Sequence, residues 1–277
     1  IIEEDGTEVR IAPLDVQYQN ASIWGRLMTN FAGPLNNFIL GILTFILFFF
    51  LQGGVPDVTT NQVTVTDGGA LQAAGVETGV RILEINGQQV SDYKDVSNIL
   101  AQVNEKAKEA PVLNLLVEED GKEKTLQVTT IKNQGYFRLG VSPYLKTGFV
   151  ETIVGGFQEA GATALLIVNA LKNIIASFDV KQLGGPVAIY NVSSQAAEGG
   201  ILPVLRLLAM LSINLGIFNL IPIPALDGGK ILINLIEAIR RKPLKQEIES
   251  YITLVGVAIM VILMLVVTWN DIMRVFF

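Results

Sequence analysis

The 277-residue chain contains no histidine and no cysteine. Without cysteine there is no disulfide, no thiolate metal site and no thiol nucleophile. Without histidine, neither imidazole acid–base chemistry nor a histidine-ligated metal can be built from these residues alone. Charge is also scarce. Only 17% of residues are charged, and 20 Lys plus Arg stand against 26 Asp plus Glu. The resulting net charge of −6 leaves no basic face for phosphates, which excludes nucleic acid as a partner. An initiator Met is missing as well. Ile1 to Ile11 read as a polar strand–turn–strand piece and not as a signal peptide, so the chain is expected to begin inside a longer protein.

Hydrophobic residues take the place of the missing charge. They make up 50% of the chain, and the mean hydropathy is +0.46, which points to the membrane class. The expected fold is a multi-span α-helical membrane protein with an inserted α+β domain. Residues 1–26 form a membrane-proximal β-type segment. Residues 27–55 form a span, uncharged throughout, with an almost wholly apolar core from Phe38 to Leu51. Residues 56–148 carry short alternating strands, Asn-Gly and Asp-Gly turn signals and one amphipathic helix from Asp92 to Lys106. In residues 149–200, Glu151, Gln158, Glu159, Asn169, Lys172 and Asn173 leave a wide apolar face. This is the pattern of a surface-lying or protein-packed amphipathic helix rather than a span, and a Gly184-Gly185-Pro186 break follows it. Residues 201–239 hold a second span, 240–249 a basic loop, and 250–277 the last span. Each of the three spans has the ~20 apolar residues that a ~30 Å hydrocarbon core requires. Arg240, Arg241, Lys242 and Lys245 place their loop in the cytoplasm by the positive-inside rule. That puts residues 56–148 outside it and Arg26 inside.

The chemistry concentrates at Asn219-Leu-Ile-Pro222-Ile-Pro224-Ala-Leu-Asp227-Gly228-Gly229. Leu207 to Leu226 is uncharged, and the two prolines break any helix just before the acid. An ionisable group at membrane depth marks a functional site, and irregular backbone there is tolerated only where protein or a cavity surrounds it. Two readings of Asp227 stand side by side: a metal ligand, or the N-cap of a helix starting at Gly228. Asn214 and Asn219 interrupt the same apolar run. They can hydrogen-bond an unwound peptide or simply a neighbouring helix. Gly33 allows close helix approach and Pro34 suits a first helical turn, with Asn36 as structural support nearby.

Three signatures, in this order, resemble those of the bacterial site-2-type intramembrane zinc metalloproteases. They are Thr29-Asn-Phe-Ala-Gly33-Pro34-Leu-Asn36-Asn-Phe38, the PDZ-like core Gly75-Val-Glu-Thr-Gly79-Val-Arg-Ile-Leu-Glu-Ile-Asn86-Gly87, and Ser212-Ile-Asn214 through Asp227-Gly228-Gly229. Leu183-Gly-Gly185-Pro186-Val-Ala-Ile189 is a fourth, weaker match. The resemblance covers nearly the whole chain. It implies a plasma-membrane enzyme that hydrolyses a peptide bond in single-pass substrates, such as anti-sigma factors or remnant signal peptides, within the lipid bilayer. It implies Zn2+ with Asp227 as third ligand, Asn219, Asn214, Pro222 and Pro224 as substrate contacts, and Gly33, Pro34, Asn36 and Gly228 as structural neighbours of the site. It also implies a PDZ-like domain that filters substrates by size. Some members serve as receptors for bacteriocin peptides.

One departure is large. The family's His-Glu-x-x-His helix, which carries two ligands and the general base, has no counterpart here. It is expected upstream of Ile1; an inactive relative is the other possibility. From other classes, a non-catalytic adaptor presenting the PDZ-like domain and a transporter with broken helices compete with the protease. The transporter is disfavoured by the lack of internal repeats.

Overall fold

The computed structural model describes residues 21–133, 135–177, 184–242 and 244–276. The β-type reading of Ile1–Ile11 lies outside them. The chain divides into two compact units. One comprises the described residues up to Phe48 and from Ile153 onward, and the other is Phe49–Thr152.

The first unit is helical. Helix α1 spans Ile23–Gln52 and starts earlier than residue 27. Ser22 caps it, accepting the Gly25 N–H on its Oγ at 3.1 Å and the Arg26 N–H on its carbonyl at 3.0 Å. Pro34 therefore sits inside the helix and not in its first turn. Helices α4 (Phe149–Ser177), α5 (Pro186–Glu198), α6 (Ile201–Leu220), α7 (Asp227–Arg240) and α8 (Gln246–Phe276) follow.

Small residues set the helix contacts. A Cβ at Gly41 would meet Ile213 Cδ1 at 2.6 Å, and one at Gly216 would meet Phe38 Cε2 at 3.2 Å, so α6 runs antiparallel to α1 in close contact. Gly156 of α4 sits against Ile46, and Phe45, Ala160, Ala209 and Ile213 form a buried cluster joining α1, α4 and α6. The beginnings of α4 and α6 thus both lie toward the C-terminal end of α1.

Among the described residues, four helices are long and apolar enough to cross a membrane: Ile23–Gln52, Phe149–Ser177, Ile201–Leu220 and Glu247–Arg274. Sequence patterning counted three. Helix α4 joins them because its polar residues are spread along 29 residues and do not interrupt the apolar stretch.

Helix α5 is fastened to α8 by a remote cap. Its N-cap, Gly185, has no side chain to offer, and Pro186 occupies the first turn. Asp271 of α8, 2% exposed, supplies the missing acceptor. Its Oδ2 receives the Gly185 N–H at 2.9 Å and the Ala188 N–H at 3.0 Å. A Cβ at Gly185 would lie 2.9 Å from that same oxygen, so glycine is required there. Replacing Asp271 by Ala is expected to cost about 2 kcal/mol, the worth of a buried charge-assisted pair of hydrogen bonds. Thermal unfolding of the detergent-solubilised protein would read that loss.

The second unit is α+β, as its sequence predicts. Strands β1 (Val55–Asp57), β2 (Val63–Val65), β3 (Arg81–Ile85), β4 (Gln88–Gln89), β5 (Val112–Glu119), β6 (Lys122–Thr129), β7 (Ile131–Asn133), β8 (Tyr136–Arg138) and β9 (Val141–Lys146) accompany helices α2 (Ala70–Ala73) and α3 (Tyr93–Lys106). The sheets order as β1-β9-β2, β4-β3-β5-β6 and β7-β8. Asn86-Gly87 and Asp120-Gly121 all have positive φ, at 51°, 76°, 51° and 72°, and so make the tight hairpin turns their sequences call for. Asp92 caps α3, accepting the Asp95 N–H at 3.0 Å. Leu71, Ile82, Ile85, Val96, Leu113 and Leu115 form the core. A groove of about 350 Å³ lies between α3 and β8–β9. Some of its strand backbone is already engaged: Tyr93 Oη donates to the Val141 carbonyl at 3.1 Å, and the Asn104 amide pairs with both the N–H and C=O of Phe137.

Asp57 ties β1 to β9. Burial by itself would raise its pKa. The Thr59 hydroxyl at 2.6 Å, the Thr59 N–H at 3.0 Å and the Lys146 ammonium at 2.9 Å outweigh burial and hold the carboxyl below its ordinary 3.8. The folded value is the lower one, so the unfolded state binds the proton first as pH falls. The stabilisation is present above the ordinary value and is lost as pH drops through the folded value. Unfolding midpoints are expected to fall below about pH 4, and Asp57→Asn should remove that part of the acid sensitivity.

Candidate functional site

The site grows out of the break between α6 and α7. Helix α6 ends at Leu220 because Pro222 forces its predecessor out of helical conformation; Ile221 is extended, with φ −63° and ψ 136°. The chain then turns tightly. The Ile223 N–H reaches the Ile221 carbonyl at 2.7 Å, and the Leu226 N–H reaches the Ile223 carbonyl at 2.9 Å. Helix α7 begins at Asp227 with Leu226 as its N-cap, and no side chain caps it. The capping role considered for Asp227 is therefore not its role here.

Glycines make this turn possible. A Cβ at Gly228 would collide with the carbonyls of Leu220 and Ile221, and one at Gly229 would collide with the Ile223 carbonyl and come within 2.6 Å of Pro224 Cα. The backbone of 220–224 folds directly over the first turn of α7, where only glycine fits. On its other side the segment rests on α8, where a Cβ at Gly256 would lie 2.7 Å from the Ala225 nitrogen and 3.0 Å from Pro224 Cβ.

The Asp227 carboxylate, half-buried, points at α1. A Cβ at Gly33 would stand 2.9 Å from its Oδ2. Among the described residues no hydrogen-bond donor or cation is paired with this carboxylate. Gly33 thus keeps α1 clear of an acid that nothing else claims.

The other predicted residues fall at varying distances from this centre. Gly228 and Pro224 belong to the break itself. Pro222 is exposed beside it. Asn219, half-buried, follows Ser212 and Gly216 on the buried stripe of α6, one turn before the break. Asn214 lies further up and, at ~100° per residue, is turned well away from Asn219. Pro34 is buried, whereas Asn36 is exposed on α1. Sequence reasoning missed Gly256, whose smallness admits the broken segment. It also missed Arg26 and Glu237, which form an ion pair of 2.8 Å between α1 and α7.

As a zinc site the arrangement fits in part. Asp227 is an anionic oxygen donor of the right kind, unclaimed and facing space that a single Cβ would fill. The described residues hold no group of three metal-ligating side chains, and a catalytic zinc needs three protein ligands. Asp227 therefore satisfies one position.

The sequence profile of Peptidase family M50 matches residues 2–263. A protein of Streptococcus pneumoniae serotype 4 named "Putative zinc metalloprotease" is 56% identical over 277 residues, covering 100% of this chain and 66% of the relative. A Lactococcus lactis relative of like description is 53% identical, with 63% of its length covered. An Enterococcus faecalis protein named "Probable protease eep" is 47% identical over 282 residues, with 66% of its length covered. The chain thus spans about two thirds of these relatives. Among solved structures, the PDZ domain of an SdrC-like protein from Listeria monocytogenes covers 33% of this chain and 87% of its own, at 16% identity and a TM-score of 0.25.

Proposed function

The chain belongs to peptidase family M50, and from that premise we propose that it is the membrane-embedded, substrate-handling part of a zinc-dependent intramembrane endopeptidase. The observation that carries this reading is the unclaimed Asp227 carboxylate, set on broken backbone between apolar helices and faced by Gly33. Asp227 supplies one zinc ligand. The two histidine ligands and the glutamate base belong to a His-Glu-x-x-His helix elsewhere in the whole protein. Zinc, when bound, lowers its water's pKa to about 7 and polarises the scissile carbonyl. This chain's own residues do the rest. The start of α7 holds Asp227 in place, and Gly33 leaves room for the ion. Pro222 and Pro224 bring no N–H, so segment 221–226 offers mainly carbonyls to an unwound substrate strand, and Asn219 adds a two-way hydrogen-bonding amide. Substrates are single-pass membrane segments; anti-sigma factors and remnant signal peptides fit this chemistry, as does docking of a bacteriocin peptide.

The orientation proposed from charge has support in the packing. Arg26, at the start of α1, pairs with Glu237, close to the basic loop at 240–245. One crossing of α1 then leads to the α+β domain, which is extracytoplasmic. Helices α4 and α6 both begin toward that same end. The protein is thereby a multi-pass component of a bacterial plasma membrane.

The test is cleavage of a single-pass reporter by the whole protein, native and Asp227→Ala, with the zinc content of each. A competing adaptor role, favoured by the lack of histidine in these residues, predicts no cleavage and no zinc in either.

A further inference from the structure

Arg26, partly buried, and Glu237, buried, are charged and distant from the chain break, and nothing in the proposed chemistry uses them. Glu237 is 4% exposed. Its Oε2 lies 2.8 Å from Arg26 Nη1, and its Oε1 accepts the Leu244 N–H at 2.6 Å. The pair is not optimised for strength. Among the described residues Arg26 Nε has no hydrogen-bond partner, and Glu237 Oε2 meets the guanidinium without forming an aligned hydrogen bond. Buried ion pairs generally add little net stability, because desolvation offsets the attraction; their best-attested use is to fix the register of helices.

The spacing points to that use. On α1, Arg26, Asn30 and Gly33 recur at intervals of four and three residues, so they share one face. On α7, Asp227, Asn234 and Glu237 recur at seven and three, and also share one face. Gly33 meets Asp227 at one end of this seam, and Arg26 meets Glu237 at the other. Asn30 and Asn234, 7% and 3% exposed, lie between. Slipping α7 along α1 by one turn would strand both charges in an apolar setting and would carry Asp227 away from Gly33. The Leu244 bond adds a second restraint, since it closes the chain after Arg241, whose φ of 52° ends α7.

We propose that Arg26 and Glu237 are positioning residues: the ion pair locks the register of α7 on α1 and so fixes where Asp227 presents its carboxylate. This rests on Asp227 being the ligand of the proposed peptidase, yet the register can be measured without any metal or cleavage. The 277 residues contain no cysteine, so Gly33→Cys with Asp227→Cys in the whole protein, with any cysteine elsewhere in it replaced by serine, creates one reporter pair at the contact. With Glu237 intact, oxidation in native membranes should join the two. Glu237→Gln keeps an acceptor for Leu244 but removes the charge, and is expected to slow that cross-link at least fivefold. In the Asp227 background the same substitution should weaken zinc binding about tenfold, the scale of losing a supporting partner, and lower kcat more than it alters KM.

Should Glu237→Gln leave Arg26 stranded and the protein misfolded, the neutral pair Arg26→Gln with Glu237→Gln carries the test, with the same slowing expected. Cross-linking at the parental rate in either folded variant overturns the proposal. Slowed cross-linking together with no zinc in the whole protein that retains Asp227 keeps the register lock and removes the peptidase reading instead.

Discussion

Asp227→Ala in the whole protein is expected to abolish cleavage of a membrane-embedded reporter while leaving insertion and abundance unchanged. Losing a group that merely supports a zinc ligand costs about 10–100-fold in affinity or activity, so losing a ligand should cost more than about 100-fold. Folding should survive because Asp227 makes no capping bond to α7. Its carboxylate is paired with nothing else among the described residues, so its removal strands no partner. Asp227→Asn keeps the shape and loses the charge, and it should fall near Asp227→Ala if ligation is the role. Reporter cleavage per inserted molecule distinguishes these outcomes.

Gly229→Ala is expected to be nearly as damaging, for a different reason. The new methyl would meet the Ile223 carbonyl and crowd Ile223 C and Pro224 Cα, both 2.6 Å away. All of these are backbone atoms, so no side chain can rotate aside. The broken segment must move, and Asp227, two residues before Gly229, moves with it. Displacements of about 1 Å at a reacting centre cost on the order of 10²-fold. Gly161→Ala is the matched control. Its Cβ meets nothing within 4 Å, and alanine favours a helix interior over glycine by about 1 kcal/mol. Activity should therefore fall about 100-fold in the first variant and hold in the second.

The break at 221–226 was legible in the sequence because proline and glycine act locally. Pro222 and Pro224 stop a helix, and Gly228-Gly229 permits the fold-over, whatever surrounds them. Asn86-Gly87 and Asp120-Gly121 announced their hairpins for the same reason. Features set by distant partners were not legible. Asp271 caps a helix whose N-cap, Gly185, lies 86 residues earlier, and no local pattern marks it. Arg26, which precedes the uncharged run from Leu27, lies inside α1, and its charge is tolerated there through Glu237, a partner more than 200 residues away. Helix α4 was read from its polar face, whereas Gly156, Ala160 and Ala164 line the side that packs on α1 and α6. The short β1–β9 pairing, Val55 with Lys146, likewise joins opposite ends of its unit.

The central claim is tested most directly by measuring zinc in the purified whole protein, native and Asp227→Ala, by elemental analysis together with X-ray absorption at the zinc edge. The account predicts about one zinc per native chain with a carboxylate oxygen in its coordination shell, and loss of that oxygen with sharply weakened binding in the variant. An identical shell and affinity in the two proteins would contradict it.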